Sequence, residues 1–219
     1  MRICAIVKDE YPEYLHEWIC HHLQFGEITL YNNGSPIGQC PHVEIISYKG
    51  DYAQIAAYHS FIKRYPDDVA LFIDLDEFLF TDYTVKRLEA ECQLHGALAF
   101  NWLMFGSSGL MNHTSDSQIK KFRSHLPKYH PVNKHIKTMV QCKNVSRFIN
   151  PHSVVLKSGK YDREQTLGLS KDVDYSLGHI KHYFCRSEEE FKKKILIGRA
   201  DTSTKRTMRE FESINKECI

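Results

Sequence analysis

The feature that most constrains the fold is a short apolar run that ends in a cluster of acidic residues. Residues 69–73 have the sequence Val-Ala-Leu-Phe-Ile, and Asp74-Leu75-Asp76-Glu77 follows directly. A strand that is apolar on both faces must be covered from both sides, which is typical of the centre of a parallel sheet. The run therefore predicts a central strand with two aspartates at its carboxyl end.

Around this run, strand-like and helix-like segments alternate. Hydrophobic spacing predicts strands at residues 3–7, 28–31, 43–48 and 96–100, and helices at 14–23, 55–65 and 85–92. Ser187-Glu188-Glu189-Glu190 has the capping-box pattern of a further helix that ends near Gly198, and a last helix is expected at 205–215. Residues 105–160 are expected to be loop-rich with a few short strands. The pattern predicts one α/β domain over residues 1–219, with a mostly parallel sheet flanked by helices.

Composition argues against several classes of protein. The 29 Lys and Arg residues nearly balance the 27 Asp and Glu residues and are interspersed with them, which argues against a nucleic-acid partner. The longest apolar runs are far shorter than the roughly 20 residues of a membrane span, and the start of the chain has no signal-peptide pattern. The seven scattered cysteines resemble reduced thiols more than a disulfide frame or a zinc site. A cytoplasmic protein is expected.

The Asp74-Leu75-Asp76 segment is the strongest local indication of chemistry. On an extended strand, residues i and i+2 share a face, so both carboxylates can approach one point while Leu75 turns into the core. Mg²⁺ and Mn²⁺ prefer such oxygen ligands, and open α/β sheets bind ligands beyond the carboxyl ends of their strands. The alternative, a simple strand-ending turn, stays open at this point.

Seven motifs occur in a fixed order along nearly the whole chain. They are Ile3-Cys4-Ala5-Ile6-Val7-Lys8-Asp9-Glu10, Tyr14-Leu15-x-Glu17-Trp18, Tyr31-Asn32-Asn33-Gly34-Ser35, Gln54-x-x-Ala57-Tyr58, Phe72-Ile73-Asp74-Leu75-Asp76-Glu77-Phe78-Leu79, Asn101-Trp102-x-x-Phe105-Gly106-Ser107-Ser108-Gly109 and His182-Tyr183-Phe184. This series resembles the family-92-like, or family-2-type, group of GT-A glycosyltransferases. The resemblance implies a GT-A fold, a nucleotide-sugar donor and a divalent metal that the Asp-x-Asp (DxD) segment holds against the diphosphate.

The resemblance also implies a metal site and a catalytic pair. Asp74, Asp76 and His182 are the expected metal ligands, and a mixed carboxylate and imidazole shell favours Mn²⁺ over Mg²⁺. Asp76 and Asp201 are the expected catalytic residues, with Asp201 as a candidate base for the acceptor hydroxyl. The alternatives are a structural role for His182 and a surface ion pair of Arg199 with Asp201.

The remaining predicted site residues divide between donor and acceptor. The expected donor-binding residues are Val7, Lys8, Glu10, Asn32, Asn33, Gln54, Asp74, Leu75, Lys137 and Arg199. The expected acceptor-binding residues are Trp102, Phe105 and Ser108, because aromatic rings beside polar groups grip the apolar face of a sugar. Asp9 departs from the Lys-Asn-Glu pattern of the family. The alternatives are an ordinary loop after the first strand, an ordinary turn at Asn32-Asn33, and aromatic residues that belong to the core. We expect residues 1–100 to form the nucleotide-binding half and residues 101–219 the acceptor-binding half.

The sequence thus predicts a glycosyltransferase that moves a sugar from a nucleoside diphosphate, preferably UDP, to a hydroxyl of a glycan or glycoconjugate. Surface polysaccharide biosynthesis or glycoprotein glycan synthesis would use such a reaction. One rival is a nucleotidyltransferase on a similar core, which should carry a glycine-rich basic loop after the first strand, and Lys8-Asp9-Glu10 is not one. The other rival is a non-catalytic module that binds a nucleotide or glycan without turnover.

Overall fold

The computed structural model describes residues 1–199 and 202–219. As far as residue 104, helices α1, α2 and α3 are interspersed with strands. Within these ranges the helices are α1 (Pro12–His22), α2 (Gln54–Arg64), α3 (Val85–His95), α4 (Gln118–Lys121), α5 (Glu188–Ile197) and α6 (Met208–Glu217). The strands are β1 (Arg2–Val7), β2 (Glu27–Asn32), β3 (Val43–Ser47), β4 (Val69–Phe72), β5 (Glu77–Phe80), β6 (Gly96–Met104), β7 (Ile136–Gln141), β8 (Val145–Asn150), β9 (Ser153–Leu156), β10 (Lys160–Tyr161), β11 (Gln165–Thr166), β12 (Leu169–Ser170) and β13 (His179–His182).

One large sheet organises the described residues. Its strand order is β3-β2-β1-β4-β7-β6-β13-β5, and β10 pairs with β6 outside this path. Neighbours among β3, β2, β1 and β4 are parallel, and β13 is parallel to β6. Strand β7 is antiparallel to both β4 and β6, and β5 is antiparallel to β13. The prediction of an α/β chain with a mostly parallel sheet flanked by helices is confirmed at this level.

Helices cover both faces of the sheet, which explains why its central strands are apolar throughout. On one face, Trp18 of α1 and Leu88 of α3 pack with alternate residues of the central strands, such as Leu71. On the other face, Phe61 of α2 packs against Phe72. Burying a large apolar side chain of this kind contributes roughly 1.5–3 kcal/mol. The strands therefore have no solvent-facing side, and a polar residue in them needs a buried partner.

The C-terminal half differs from the sequence prediction in one important respect. Strand β7, which was expected to be part of a loop-rich region, lies in the middle of the sheet between β4 and β6. Its sequence Ile-Lys-Thr-Met-Val-Gln contains a lysine and a threonine, both almost completely buried, and these interrupt the apolar pattern of a central strand.

In the first half of the chain, strand β5 was also not predicted, because its first residue, Glu77, is a charged residue that is fully buried.

The other helices and strands that were predicted individually agree with the structure within a few residues. Helix α5 begins with the predicted capping box, in which the Ser187 hydroxyl and the Glu190 carboxylate each accept a main-chain N–H. It ends at Gly198, whose φ of 79° suits glycine. The last helix starts and ends a few residues later than expected. All seven cysteines are free thiols, and four of them are buried. No helix in the described residues is long and apolar enough to cross a bilayer.

The strand directions bring several chain segments to one edge of the sheet. The parallel strands β1, β4, β6 and β13 all end there, and the antiparallel strand β7 begins there. In open α/β sheets this edge is where ligands bind. Here it carries the acidic turn after β4, which the sequence singled out.

Candidate functional site

A cleft of about 210 Å³ lies at this edge of the sheet. Its walls come from the loop after β1, the turn after β4, the end of β6, the turn between β8 and β9, the end of β13, and helix α5 with the residues that follow it. Asp74, Leu75, Asp76 and His182 all line this cleft. The strongest sequence motif and the C-terminal histidine therefore meet in one place.

The acidic segment forms a tight turn and not the extended strand that the sequence suggested. The main-chain N–H of Glu77 donates to the carbonyl of Asp74 at 3.2 Å, and the Glu77 carboxylate accepts from the main-chain N–H of Asp74 at 2.9 Å. From below, the indole N–H of Trp18 donates to the carbonyls of Asp74 and Glu77, at 3.0 and 2.9 Å. Leu75 is buried in the core, as expected. Because the segment turns, the Asp74 and Asp76 carboxylates have separate partners.

The Asp74 carboxylate is held by two side chains of the protein. Its Oδ2 lies 2.6 Å from the Lys137 ammonium, and its Oδ1 accepts from the Gln54 amide at 2.6 Å. Burial alone would raise the pKa of Asp74, but the charge of Lys137 outweighs it and the net pKa is lowered. Asp74 is therefore an ionised carboxylate whose charge is already balanced.

Asp76 faces the cleft and contacts two nitrogen groups. The Lys194 ammonium of α5 bonds to its Oδ2, and the His182 Nε2 atom lies 3.4 Å from the same oxygen. Burial would raise the pKa of Asp76, but the charge of Lys194 and the His182 imidazole hold it well below its usual range. Burial lowers the pKa of His182, against the opposing effect of Asp76, so the imidazole is neutral near pH 7. The pair presents an ionised oxygen beside an uncharged imidazole nitrogen.

Glu77 lies directly behind this pair and is completely buried. Its Oε2 is 3.3 Å from the Lys137 ammonium, and its Oε1 is 3.7 Å from His182 Nδ1. Among the described residues, neither Glu77 Oε1 nor His182 Nδ1 has a hydrogen-bond partner. Burial raises the pKa of Glu77, although Lys137 acts in the opposite direction. The acidic turn and the histidine are thus supported by a third carboxyl group.

A buried ion pair joins two loops of the site. The Arg186 guanidinium donates to both oxygens of Glu10, at 2.8 and 3.0 Å. Arg186 is buried and has a φ of 52°, an uncommon conformation for a residue with a side chain. Such strain is often found at functional sites. The pair fixes the loop after β1 against the segment after β13.

Positive charge is concentrated on one side of the cleft. Six basic side chains line the cleft, namely Lys8, Arg186, Lys193, Lys194, Arg199 and Arg206, together with the acidic residues Asp9, Glu10, Asp74, Asp76 and Glu190. The Lys193 ammonium lies 3.7 Å from the centroid of the Tyr11 ring, a cation–π contact that orients it at the mouth. Arg186 and Lys194 are paired with Glu10 and Asp76, and the basic groups of the loop after β1 and of α5 with the residues that follow it are the ones that can attract an anion.

Another part of the lining, which we call the uncharged side, consists of Trp102, Pro151 and His152. Trp102 stacks on His135 with ring centroids 4.6 Å apart and meets the edge of His182 at 4.3 Å. Pro151 and His152 complete this wall. The cleft therefore has a cationic side and an uncharged side, with Asp76 and His182 between them.

Most of the predicted donor residues line the cleft, but four do not. Val7 and Asn32 line a neighbouring cavity beside α1. The Asn32 amide donates to the carbonyl of Ser35, and the Asn33 amide donates to the carbonyls of Tyr48 and Gly50. These two amides hold the turn after β2. Lys137 lies below the cleft floor with its side chain fully buried.

The predicted acceptor residues are separated in the structure. Trp102 lines the cleft, whereas Phe105 is packed in the core against Tyr183. The Ser108 hydroxyl accepts from the main-chain N–H groups of Arg123 and Ser124, which fixes a loop outside the cleft lining. Asp201 lies outside the described residues.

Several groups at the site were not predicted from the sequence, among them Glu77 behind the cleft and His152, Arg186 and Lys194 in its lining. Glu77 lies within a recognised motif and Arg186 lies two residues after one, but no sequence pattern indicated that these charged residues would be buried. Lys194 belongs to a Lys-Lys-Lys run that resembles a solvated helix face. His152 follows a proline in a region that was expected to be a loop.

Asp76 and His182 offer a divalent metal one oxygen ligand and one nitrogen ligand. A carboxylate oxygen and a neutral imidazole nitrogen suit Mn²⁺, which commonly completes its shell with phosphate oxygens and water. Within residues 1–199 and 202–219, no three His, Cys, Asp or Glu side chains are arranged to hold a metal by themselves. The residues therefore fit a two-ligand site that is completed by the substrate, with Asp74 committed to Lys137.

The chain matches no protein-family model and no curated protein. Evidence on function therefore comes from the geometry of the cleft and the order of the sequence motifs.

Proposed function

We propose that the protein is a metal-dependent glycosyltransferase of the GT-A type, which moves a sugar from a nucleoside diphosphate to a hydroxyl of a glycan or glycoconjugate. The observation that carries this proposal is the placement of Asp76 and His182 between a cationic wall and an aromatic wall. A nucleotide sugar has the same division, because its diphosphate is anionic and its sugar is neutral. UDP as the carrier and Mn²⁺ as the metal follow from the motif resemblance and the mixed donor set.

The cationic wall suits a diphosphate leaving group. Glycosyl transfer places growing negative charge on the diphosphate, and preorganised cations lower the energy of that state. Lys194 sits nearest to the metal ligands, with its ammonium bonded to Asp76 and to the carbonyl of Phe184 at 2.9 Å. Lys8 and Arg199 line the same side and can contact the phosphates from the loop after β1 and from the end of α5.

Asp76 and His182 would hold the metal, and a metal there supplies Lewis-acid neutralisation of the departing diphosphate. The protein prepares both groups for this task. Lys194 keeps Asp76 ionised, and burial keeps His182 uncharged, which is the form that ligates. Glu77 Oε1 lies 3.7 Å from His182 Nδ1, which is too long for a hydrogen bond, and a small movement would let this carboxyl group orient the imidazole.

Asp74 has a different role in this proposal from the one its motif suggests. Because it bonds to Lys137 and Gln54, it ties β7 and α2 to the acidic turn. Gln54 in turn donates to the Tyr58 hydroxyl at 2.9 Å. Asp74 and Gln54 both line the cleft and can contact a donor from this fixed position. The base for the acceptor hydroxyl stays a prediction at Asp201.

The proposal is tested by thermal unfolding of the protein with UDP, UMP and UDP-sugars, each with and without Mn²⁺. A ligand at about 100 times its Kd stabilises the folded state by roughly 2.7 kcal/mol, which for a chain of this size raises Tm by about 5–11 °C. We expect UDP to stabilise strongly only when Mn²⁺ is present. Release of UDP from a UDP-sugar, measured in parallel, separates an enzyme from a non-catalytic binding module.

Asp76→Asn is the informative variant, because the amide keeps the shape and removes the charge. We expect it to lose the Mn²⁺-dependent part of UDP binding and most of the UDP release. Asp67→Asn is the matched control, since the Asp67 side chain is 90% exposed at the start of β4, at the opposite edge of the sheet. Wild-type turnover in Asp76→Asn would remove the metal assignment, and no response of the wild-type protein to any nucleotide would refute the proposed function.

A further inference from the structure

The turn between β8 and β9 holds His152 at the cleft by four separate contacts. The main-chain N–H of His152 donates to the Asn150 side chain at 2.8 Å, and its carbonyl accepts from the Thr138 hydroxyl at 2.6 Å. The ring Nδ1 is 3.0 Å from the carbonyl of Ile136. Gly168 packs so closely that a Cβ there would lie 2.5 Å from the His152 Cβ. This degree of restraint is unusual for a half-buried residue in a turn.

The contact with Ile136 fixes which ring nitrogen carries the proton. A carbonyl oxygen can only accept, so His152 Nδ1 must donate to it. In a neutral imidazole, the other nitrogen, Nε2, then has a free lone pair. Burial, with the nearby charge of Lys137, lowers the pKa of His152 to about 3, so the neutral form prevails at physiological pH. His152 is thereby a fixed hydrogen-bond acceptor.

This lone pair has no partner within the part of the chain that the structure describes. His152 lines the uncharged side of the cleft with Pro151 and Trp102. The Trp102 ring meets the His152 ring nearly edge-on, at 75° and a centroid distance of 5.2 Å. The Trp102 indole N–H is buried and also lacks a partner among the described residues. Unpaired polar groups of this kind in a cleft call for an explanation.

We propose that His152 and Trp102 form a sugar subsite, in which His152 Nε2 accepts a hydrogen bond from a sugar hydroxyl while the sugar ring packs against Trp102. This inference rests on the proposed function and assigns the uncharged side of its cleft. The ligand class is a neutral ring that carries hydroxyl groups, because this wall offers an apolar surface and an acceptor but no cation for a phosphate. The sugar can belong to the acceptor or to the donor.

The two tryptophans of the chain make a direct test possible. In a ¹⁵N–¹H correlation spectrum, Trp18 and Trp102 give the two indole N–H signals, and Trp102→Phe identifies the second. Trp18 is the internal reference because its N–H is already bonded to Asp74 and Glu77. The protein is titrated with methyl α-D-glucopyranoside, methyl β-D-galactopyranoside, methyl α-D-mannopyranoside, UDP and UDP-glucose. We expect a sugar to move the Trp102 signal and to leave the Trp18 signal nearly unchanged.

Two substitutions of His152 separate binding from structure. His152→Asn places an amide N–H near the position of Nδ1 and can keep the bond to Ile136, but it removes the acceptor at Nε2. His152→Gln places an amide oxygen near the position of Nε2 and keeps the acceptor. We expect His152→Asn to weaken the sugar response roughly three- to tenfold and His152→Gln to retain it. Equal responses in both variants would mean that His152 is structural and would overturn the proposal.

The ligands distinguish the two sources of the sugar. A response to a methyl glycoside alone identifies an acceptor subsite, and a response to UDP-glucose that UDP and the glycosides do not produce identifies a donor-sugar subsite. No response of Trp102 to any sugar beyond that to UDP would overturn the subsite. Because this readout does not measure transfer, UDP release without a Trp102 response removes the subsite and leaves the proposed function standing. A Trp102 response without nucleotide binding removes the proposed function and leaves the sugar subsite standing.

Discussion

Replacement of Lys137 tests whether the acidic turn is balanced by the protein itself. Lys137 has no exposed side-chain surface, and its ammonium lies 2.6 Å from Asp74 and 3.3 Å from Glu77. The charges of these two carboxyl groups raise the pKa of Lys137 against the effect of its burial, so it is charged at all physiological pH values. Lys137→Met keeps most of the side-chain volume and removes only the charge and its hydrogen bonds.

The cost of this change follows from what it leaves behind. Removing one partner of a buried ion pair typically costs about 3–5 kcal/mol, because the other charge stays buried without compensation. The Asp74 side chain is 32% exposed, so water can partly solvate it and the lower end of this range applies. We therefore expect a loss of about 3 kcal/mol in the free energy of unfolding, which lowers Tm by roughly 6–12 °C in a chain of this size.

The measurement is urea unfolding and thermal unfolding of the wild type, Lys137→Met and the control Lys143→Met. The Lys143 side chain is 58% exposed and lies 4.0 Å from Asp67, so its replacement should change stability by less than about 0.5 kcal/mol. Because Lys137 is covered, the ratio of UDP to UMP affinity should stay unchanged. A Lys137→Met variant with wild-type stability and a tenfold lower ratio would refute this reasoning and would restore Lys137 as a phosphate contact.

Two further predictions concern the same cleft. Burial raises the folded-state pKa of Glu77 above its unfolded value, so the folded state holds this proton more tightly and stability is lost as pH rises through the folded pKa. We compare the free energy of unfolding of the wild type with that of Glu77→Gln at each pH. The wild-type value minus the variant value should fall as pH is raised above about 4.3, and a difference that does not change with pH would contradict this prediction. Arg199→Ala should weaken UDP binding at least about tenfold and UMP binding less, by calorimetry, since charge-assisted phosphate contacts are worth roughly 1.5–3 kcal/mol. Arg147→Ala, an exposed arginine outside the cleft, is the control, and equal losses for UDP and UMP would exclude a diphosphate contact.

The sequence was sufficient for the parts of the fold that depend on local pattern. Strand β4 and helix α2 were found because apolar spacing alone distinguishes a covered strand from an amphipathic helix. Helix α5 was found because capping is encoded within four adjacent residues. Strand β7 was missed for the opposite reason. Its Lys137 is buried only because Asp74 and Glu77 neutralise it, and those residues lie about sixty positions earlier in the chain.

The candidate site shows the same division between local and distant information. The edge of the sheet was predictable, because Asp74 and Asp76 follow a strand whose apolar character is visible in the sequence. The geometry of the turn was not predictable, since it depends on hydrogen bonds from Trp18 and on the buried Glu77. The partner of Asp76 was also not predictable from the sequence, because Lys194 lies 118 residues away in the chain, on a helix with a lysine-rich surface.

These distances bear on the expected division of the chain into two halves. The acidic turn after β4 belongs to the first hundred residues, but each of its three carboxyl groups faces a group from the second half. Asp74 faces Lys137 of β7, Glu77 faces Lys137 and His182, and Asp76 faces His182 and Lys194. Three acidic side chains this close together, two of them almost fully buried, would repel one another without those partners. The arrangement of the cleft therefore depends on β7, which lies between β4 and β6, and on Lys194 of α5. The edge of the sheet that carries the acidic turn therefore depends on residues from both halves of the chain.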